Sequence, residues 1–282
     1  VAFYTLSNEK MVRQAPIIFL RDAEGHIRGI RNWWSWFGYD TLGRSILARS
    51  LFGGTISLAV GLAAAAIAVC LGVLVGLFAG YRGGWVDSAL MRFVDVMYGL
   101  PYILLVILFK IAFEPHLQTL FGPTVLNLNS PAELANGVVL FAAIGLVSWL
   151  TMARVVRGQV LSLRSLPYIE ACRALGLKEG RVFLRHILPN LIGPITVYAT
   201  LTVPSAILQE SFLSFLGVGV NPPLATWGSL ASEGVEQLSP LKFYWWLLVF
   251  PCVLLAVTLL SLNFLGDGLR DVFDPKKEAA KI

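Results

Sequence analysis

Residues 56–79 read ISLAVGLAAAAIAVCLGVLVGLFA, 24 positions without one charge. A helix crossing the hydrocarbon of a membrane needs about 20 mostly apolar residues, so this stretch reads as a span. Four more stretches of similar length lie at 93–113, 137–156, 187–208 and 244–265. The second carries Asp95 and Lys110 at its two ends and Pro101 inside. The fourth holds Pro189, Pro194 and Pro204. The fifth opens on Tyr244, Trp245 and Trp246, residues that suit an interfacial aromatic belt. One buried core helix could imitate any of these stretches, but five exceed what a single soluble core holds.

Composition agrees. Of 282 residues, 56% are apolar and 14% charged, against about 45–50% and about 25% in soluble domains. Mean hydropathy is +0.72. This excludes disorder, which needs low hydrophobicity. Three cysteines, Cys70, Cys172 and Cys252, are too few for a disulfide scaffold. The fold class is therefore all-α and polytopic.

Loop charge orients the spans. The loop between spans three and four carries Arg157, Arg164, Arg173, Lys178, Arg181 and Arg185, opposed by Glu170 and Glu179. The tail after span five carries Arg270, Lys276, Lys277 and Lys281. The loop 114–136 has no Lys or Arg, and the loop 209–243 has only Lys242. The basic loop and the C-terminus are thus expected in the cytoplasm, and the other two loops outside. Five spans then leave the N-terminus outside, although the first 50 residues hold seven basic residues, among them Arg44 and Arg49. The chain begins on Val1, and a sixth span preceding it is expected. Residues 1–52 are expected to form an extracytoplasmic segment with an interfacial helix, 53–267 the transmembrane domain, and 268–282 a cytoplasmic tail.

Catalytic constellations are sparse. His26, His116 and His186 are scattered, and no CxxC or HxxxH spacing occurs. No GxxxxGK[ST] occurs either, so ATP hydrolysis by a P-loop of this chain is excluded. Gly72, Gly76 and Gly80 recur at the small-residue spacing that lets membrane helices approach closely. Asp95 is expected to pair with Arg92 near the inner interface. Lys110 is expected to snorkel at the outer end.

The most informative stretch is 165–190, SLPYIEACRALGLKEGRVFLRHILPN. Ser165 can cap a helix with Pro167 in its first turn. Gly176 can stop that helix in a left-handed turn, and a second short helix spans 178–186. Tyr168, Ile169 and Leu175 on a projecting helix–turn–helix would suit a partner's groove. The basic charge would equally suit lipid phosphates.

The spacing E170-A-C-R-A-L-G176, nine residues, then H186-I-L-P189 resembles the EAA signature of ABC importer permeases. Glu170, Ala171, Gly176, Leu188 and Pro189 match. Cys172 replaces the second Ala, and His186 replaces the first Ile. Residues 37–50 (FGYDTLGRSILARS), 210–228 (ESFLSFLGVGVNPPLATWG) and 266–276 (GDGLRDVFDPK) resemble motifs of the dipeptide/oligopeptide (nickel) branch, in its second permease.

The resemblance implies the importer permease fold in a bacterial cytoplasmic membrane. It implies a loop, 165–186, that docks on a separate ATPase through Tyr168, Glu170, Ala171, Cys172, Arg173, Gly176 and Leu177. It implies a homologous permease partner, two ATPase subunits that bind ATP and Mg, and an extracytoplasmic solute-binding protein. No cofactor, metal or nucleic acid is implied for this chain itself. The cargo would be a peptide or a nickel chelate. A stand-alone channel or ion-driven carrier is the competing class. It would need midplane charges or internal repeats, and neither stands out.

Overall fold

The computed structural model describes residues 3–6, 9–14, 17–21, 27–30, 37–40, 43–120, 131–220, 224–239 and 242–273. Its body is a helical bundle built on one seam. Helix α1 (Ile46–Arg82) packs along α4 (Pro131–Arg164). Gly72, Gly76 and Gly80 face Met152, Val156 and Val160 across it. A Cβ on Gly76 would stand 2.6 Å from the Ala153 carbonyl oxygen. Glycine at every fourth position is what lets the two backbones meet.

The second expected span is broken. Helix α2 (Gly84–Tyr98) and helix α3 (Tyr102–Leu120) meet at 95°. Pro101 sits at the break. It lacks an N–H and pushes the preceding residue out of the helical region. Counting the bent pair as one span, five helical units are long and apolar enough to cross a membrane among the described residues.

After α4 come two short helices, α5 (Pro167–Ala174) and α6 (Glu179–Val182). One π-turn, Phe183–Ile187, then leads into α7 (Leu188–Phe215). In that turn the Leu188 N–H reaches back five residues to the Phe183 carbonyl. Pro189 has no N–H to offer the preceding turn, and the wider turn absorbs that defect. The second short helix and the fourth span are therefore one continuous stretch, Glu179–Phe215.

The loop expected at 209–243 contains a helix. Helix α8 (Trp227–Glu236) is tucked against α7 and α9 (Trp245–Phe273). Thr226 and Ser229 close its N-terminus with a reciprocal capping box. Two hydrophobic clusters fill the bundle. One joins α1, α2, α3, α4 and α7, with Leu140, Ile144 and Leu213 at its centre. The other lies at the basic end of α4 and holds Val160, Ile169, Val182 and Ile187.

In the N-terminal segment, where an interfacial helix was expected, the described residues hold four strands: β1 (Phe3–Leu6), β2 (Glu9–Gln14), β3 (Ile17–Arg21) and β4 (Ile27–Ile30) form an antiparallel meander in sequence order. Among the described residues the first helix is α1, starting at Ile46. Val12, Ile17, Ile18, Phe19, Ile27 and Ile30 give the segment its strand preference. A further two-residue pair, β5 (Leu238–Ser239) and β6 (Lys242–Phe243), precedes α9. The span expected before Val1 and the tail beyond Phe273 lie outside the described residues.

Candidate functional site: the basic-end lever

The loop at the basic end is a two-armed lever. The first arm, α5, starts on Leu166. Ser165, expected as its cap, instead donates to the Ser162 carbonyl at 2.9 Å. Pro167 occupies the first turn as expected. The arm ends in a two-bond reversal. The Leu177 N–H donates to the Cys172 carbonyl at 3.2 Å, and the Gly176 N–H to Arg173 at 2.9 Å. This six-to-one, five-to-two pattern requires a left-handed residue at Gly176, whose φ is +76°.

The lever's underside is locked into the bundle. Ile169 and Val182, one from each arm, are fully buried against Val156 and Val160 of α4. Ile169 was expected to be exposed for a partner. Packing the arm down requires it inward instead. Cys172 and Leu177 are half-buried against the same cluster. Tyr168, Glu170, Ala171, Leu175 and Gly176 remain exposed. Arg173 crosses the turn to Glu179 at 3.0 Å. The seven expected coupling residues thus divide. Tyr168, Glu170 and Ala171 face out, Cys172 and Leu177 pack against the bundle, Arg173 spans the turn to Glu179, and Gly176 shapes it.

Arginines fasten the lever's base. Arg164 donates to the Gly80 and Tyr81 carbonyls, both at 2.8 Å, closing the end of α1. Arg157 grips Asp87 of α2 with two bonds, 2.6 and 2.7 Å. Asp95 pairs with Arg154 at 2.6 Å rather than with the expected Arg92. Arg154 also stacks over Tyr98 at 4.1 Å. Three arginines of the basic region are therefore structural, a division that charge counting could not make.

At the opposite end two of the other three motif stretches, 37–50 and 210–228, meet, and Trp227 Nε1 donates to the Ser50 carbonyl at 2.9 Å. Asp40 accepts from Arg44 Nε at 2.6 Å and from Arg49 at 3.1 Å. Arg49 also forks onto Glu233 of α8 at 2.6 and 2.8 Å. Arg44 and Arg49, two of the unexplained N-terminal basic residues, are thus the ties between the start of α1 and α8. Glu210 of α7 is fully buried and accepts from Ser214 at 2.7 Å and Ser211 at 3.4 Å. The Ser57 and Thr226 hydroxyls also reach its carboxyl group. Lys110 does not snorkel. It is buried and donates to the Val218 and Gly219 carbonyls at 2.6 and 3.0 Å.

Comparison with known proteins agrees with this geometry. A family described as the binding-protein-dependent transport system inner membrane component matches residues 72–279. The chain belongs to this family. The permease is 48% identical to the oligopeptide transport system permease protein OppC of Escherichia coli (strain K12), over 86% of its own length and 72% of that protein. It is 43% identical to the dipeptide transport system permease protein DppC of Bacillus subtilis (strain 168), over 86% of its length and 68% of that protein. In fold it is similar to a chain of the inward-facing MetNI methionine ABC transporter. That match has a TM-score of 0.58 at 18% identity and covers 81% of the permease and 98% of that chain. A chain of an amino acid ABC transporter solved with histidines matches at 0.55 and 16% identity, covering 80% and 94%. The permease is therefore a multi-pass membrane subunit of an ABC importer with the importer permease fold.

Inside the permease, the α2–α3 break, α4 and α7 enclose a half-open cavity of about 580 Å³. Gln209 of α7 accepts from Tyr102 at 2.7 Å and from Ser148 at 3.1 Å, both at Oε1. Nearby, the Tyr98 and Thr151 hydroxyls stand 2.8 Å apart. None of these residues could be singled out before the four helices were brought together.

Proposed function

We propose that the permease is one half of the membrane pathway of an ATP-driven importer of small peptides, its basic end facing the cytoplasm. A second, homologous permease completes the pathway, and two ATPase subunits dock on the 165–186 levers. An extracytoplasmic solute-binding protein delivers the cargo. ATP and Mg are held by the ATPases and not by this chain. Closure of the ATPase pair pushes the exposed face of α5. The buried Ile169 and Val182 pass that displacement to α4 and α1, because packed interfaces shift as units rather than deform.

The lever's two faces carry this reading: one locked into the bundle, one left bare. Relatives that bear the names of dipeptide and oligopeptide permeases support a peptide cargo. A nickel chelate is the alternative within the same branch.

The test uses the assembled transporter in vesicles. Gly176→Asp and Glu170→Arg are expected to abolish uptake while the chain stays membrane-inserted. Removing residues 168–185 is expected to abolish co-purification of the ATPase. Normal uptake by both point variants would sink the coupling assignment.

A further inference from the structure

The cavity between the α2–α3 break, α4 and α7 is lined in a way that suits a ligand. Among the described residues its lining carries no charged side chain. Its polar groups are hydroxyls and one carboxamide, set in an apolar wall that includes Leu105, Val147 and Leu201. That mixture typifies sites for small organic ligands, and the volume lies within their usual range of about 300–1,000 Å³.

The carboxamide has a fixed sense. Tyr102 and Ser148 both donate to Gln209 Oε1, so the Nε2 donors are left for the cavity. On the same helix, Thr202 and Ser205 spend their hydroxyl protons on the Tyr198 and Leu201 carbonyls, at 2.7 and 3.0 Å. Their oxygens are left as acceptors. Helix α7 therefore offers the cavity a donor at 209 and acceptors at 202 and 205. A peptide backbone presents the complementary pair, a C=O acceptor and an N–H donor at each residue.

We propose that this cavity is a station for the cargo's backbone, reading C=O through Gln209 and N–H through Ser205 and Thr202. With no charge in its wall, it is indifferent to the charge of the cargo's side chains. This rests on the importer reading above and gives its pathway an address.

The test is competitive import of Ala-Lys and Ala-Asp by the complete transporter in proteoliposomes. Each variant's Lys-to-Asp import ratio is divided by that of the unsubstituted protein. Ser205→Asp is expected to raise the ratio about 25-fold and Ser205→Lys to lower it by about the same factor, because one charge about 4 Å away in wet surroundings favours one peptide about five-fold and disfavours the other about five-fold. Thr202→Asp and Thr202→Lys, one turn away, carry the same signature should the Ser205 pair not assemble. Gln209→Leu is expected to weaken import of both peptides with the ratio unmoved. Opposite shifts from the two charge signs support the site. A ratio that stays put, or moves the same way in both variants, while import continues, overturns it. If the unsubstituted transporter imports neither peptide, the importer reading falls and the site falls with it.

Discussion

The two ends of the permease handle charge in opposite ways. At the far end, Glu210 is fully buried among hydroxyls from α1, α7 and the cap of α8, and Lys110 is buried on the carbonyls that follow α7. At the basic end, Glu170 and Glu179 are exposed, and the lever's arms are packed down by the buried Ile169 and Val182. A buried polar group with several hydrogen bonds fixes one geometry, because every alternative leaves a polar group unpaired. An apolar underside with an exposed polar top can be pushed without stranding a charge. The far end is fixed by buried polar bonds, and the basic end by apolar packing beneath an exposed polar face.

The largest expected effect tests the far end. Glu210→Ala removes the acceptor that four hydroxyls share. Each buried polar group left without its partner costs about 1–3 kcal/mol, and the variant is expected to lose about 3 kcal/mol or more. Glu210→Gln, which keeps the shape, is expected to lose about 1 kcal/mol, the size of one neutral bond. Thermal unfolding of the detergent-solubilised chain, followed by loss of tryptophan burial at Trp227, checks both. Equal melting of Glu210→Ala and the unsubstituted chain would erase the distinction between the ends.

Much of the basic end was legible in the sequence, and little of the far end was. The lever is local. Pro167, Gly176 and Pro189 act within a turn or two, so spacing alone placed its two arms and its reversal. Ile169 was misjudged because an eight-residue helix shows no reliable inside until its neighbour is known. At the far end the decisive partners are remote in the chain: Arg49 meets Glu233 and Lys110 meets Gly219. Helix α8 had a readable signal, Thr226 followed by Ser229, which a search for apolar length passes over. The 95° break could have been inferred from Pro101, but the cavity behind it could not, since Tyr102, Ser148 and Gln209 lie on three helices.

Between these extremes stands the Arg157–Asp87 pair, which joins α4 to α2 beside the lever. It is bidentate, yet Arg157 keeps a third of its side chain exposed. Solvent weakens such a pair, and a double-mutant cycle with Asp87→Asn and Arg157→Gln is expected to give a coupling of about 1 kcal/mol. A coupling of 3 kcal/mol would move the base of the lever into the class of the far end.

The smallest expected effect is at Glu179, the ion-pair partner of Arg173 and more than half exposed. Exposed pairs contribute about 0.2–1 kcal/mol. The turn it spans is already set by the two backbone bonds around Gly176 and by the buried Ile169 and Val182. Glu179→Ala is therefore expected to leave the melting point within a degree or two and uptake within about two-fold. Gly176→Asp, three positions away, puts a side chain on a φ of +76° and is expected to stop transport. The two variants sit in the same turn and differ in which force they remove. If Glu179→Ala proved as damaging as Gly176→Asp, the lever would be held by its charges. The basic end would then follow the rule of the far end, and the buried apolar pair could not be what carries displacement into α4.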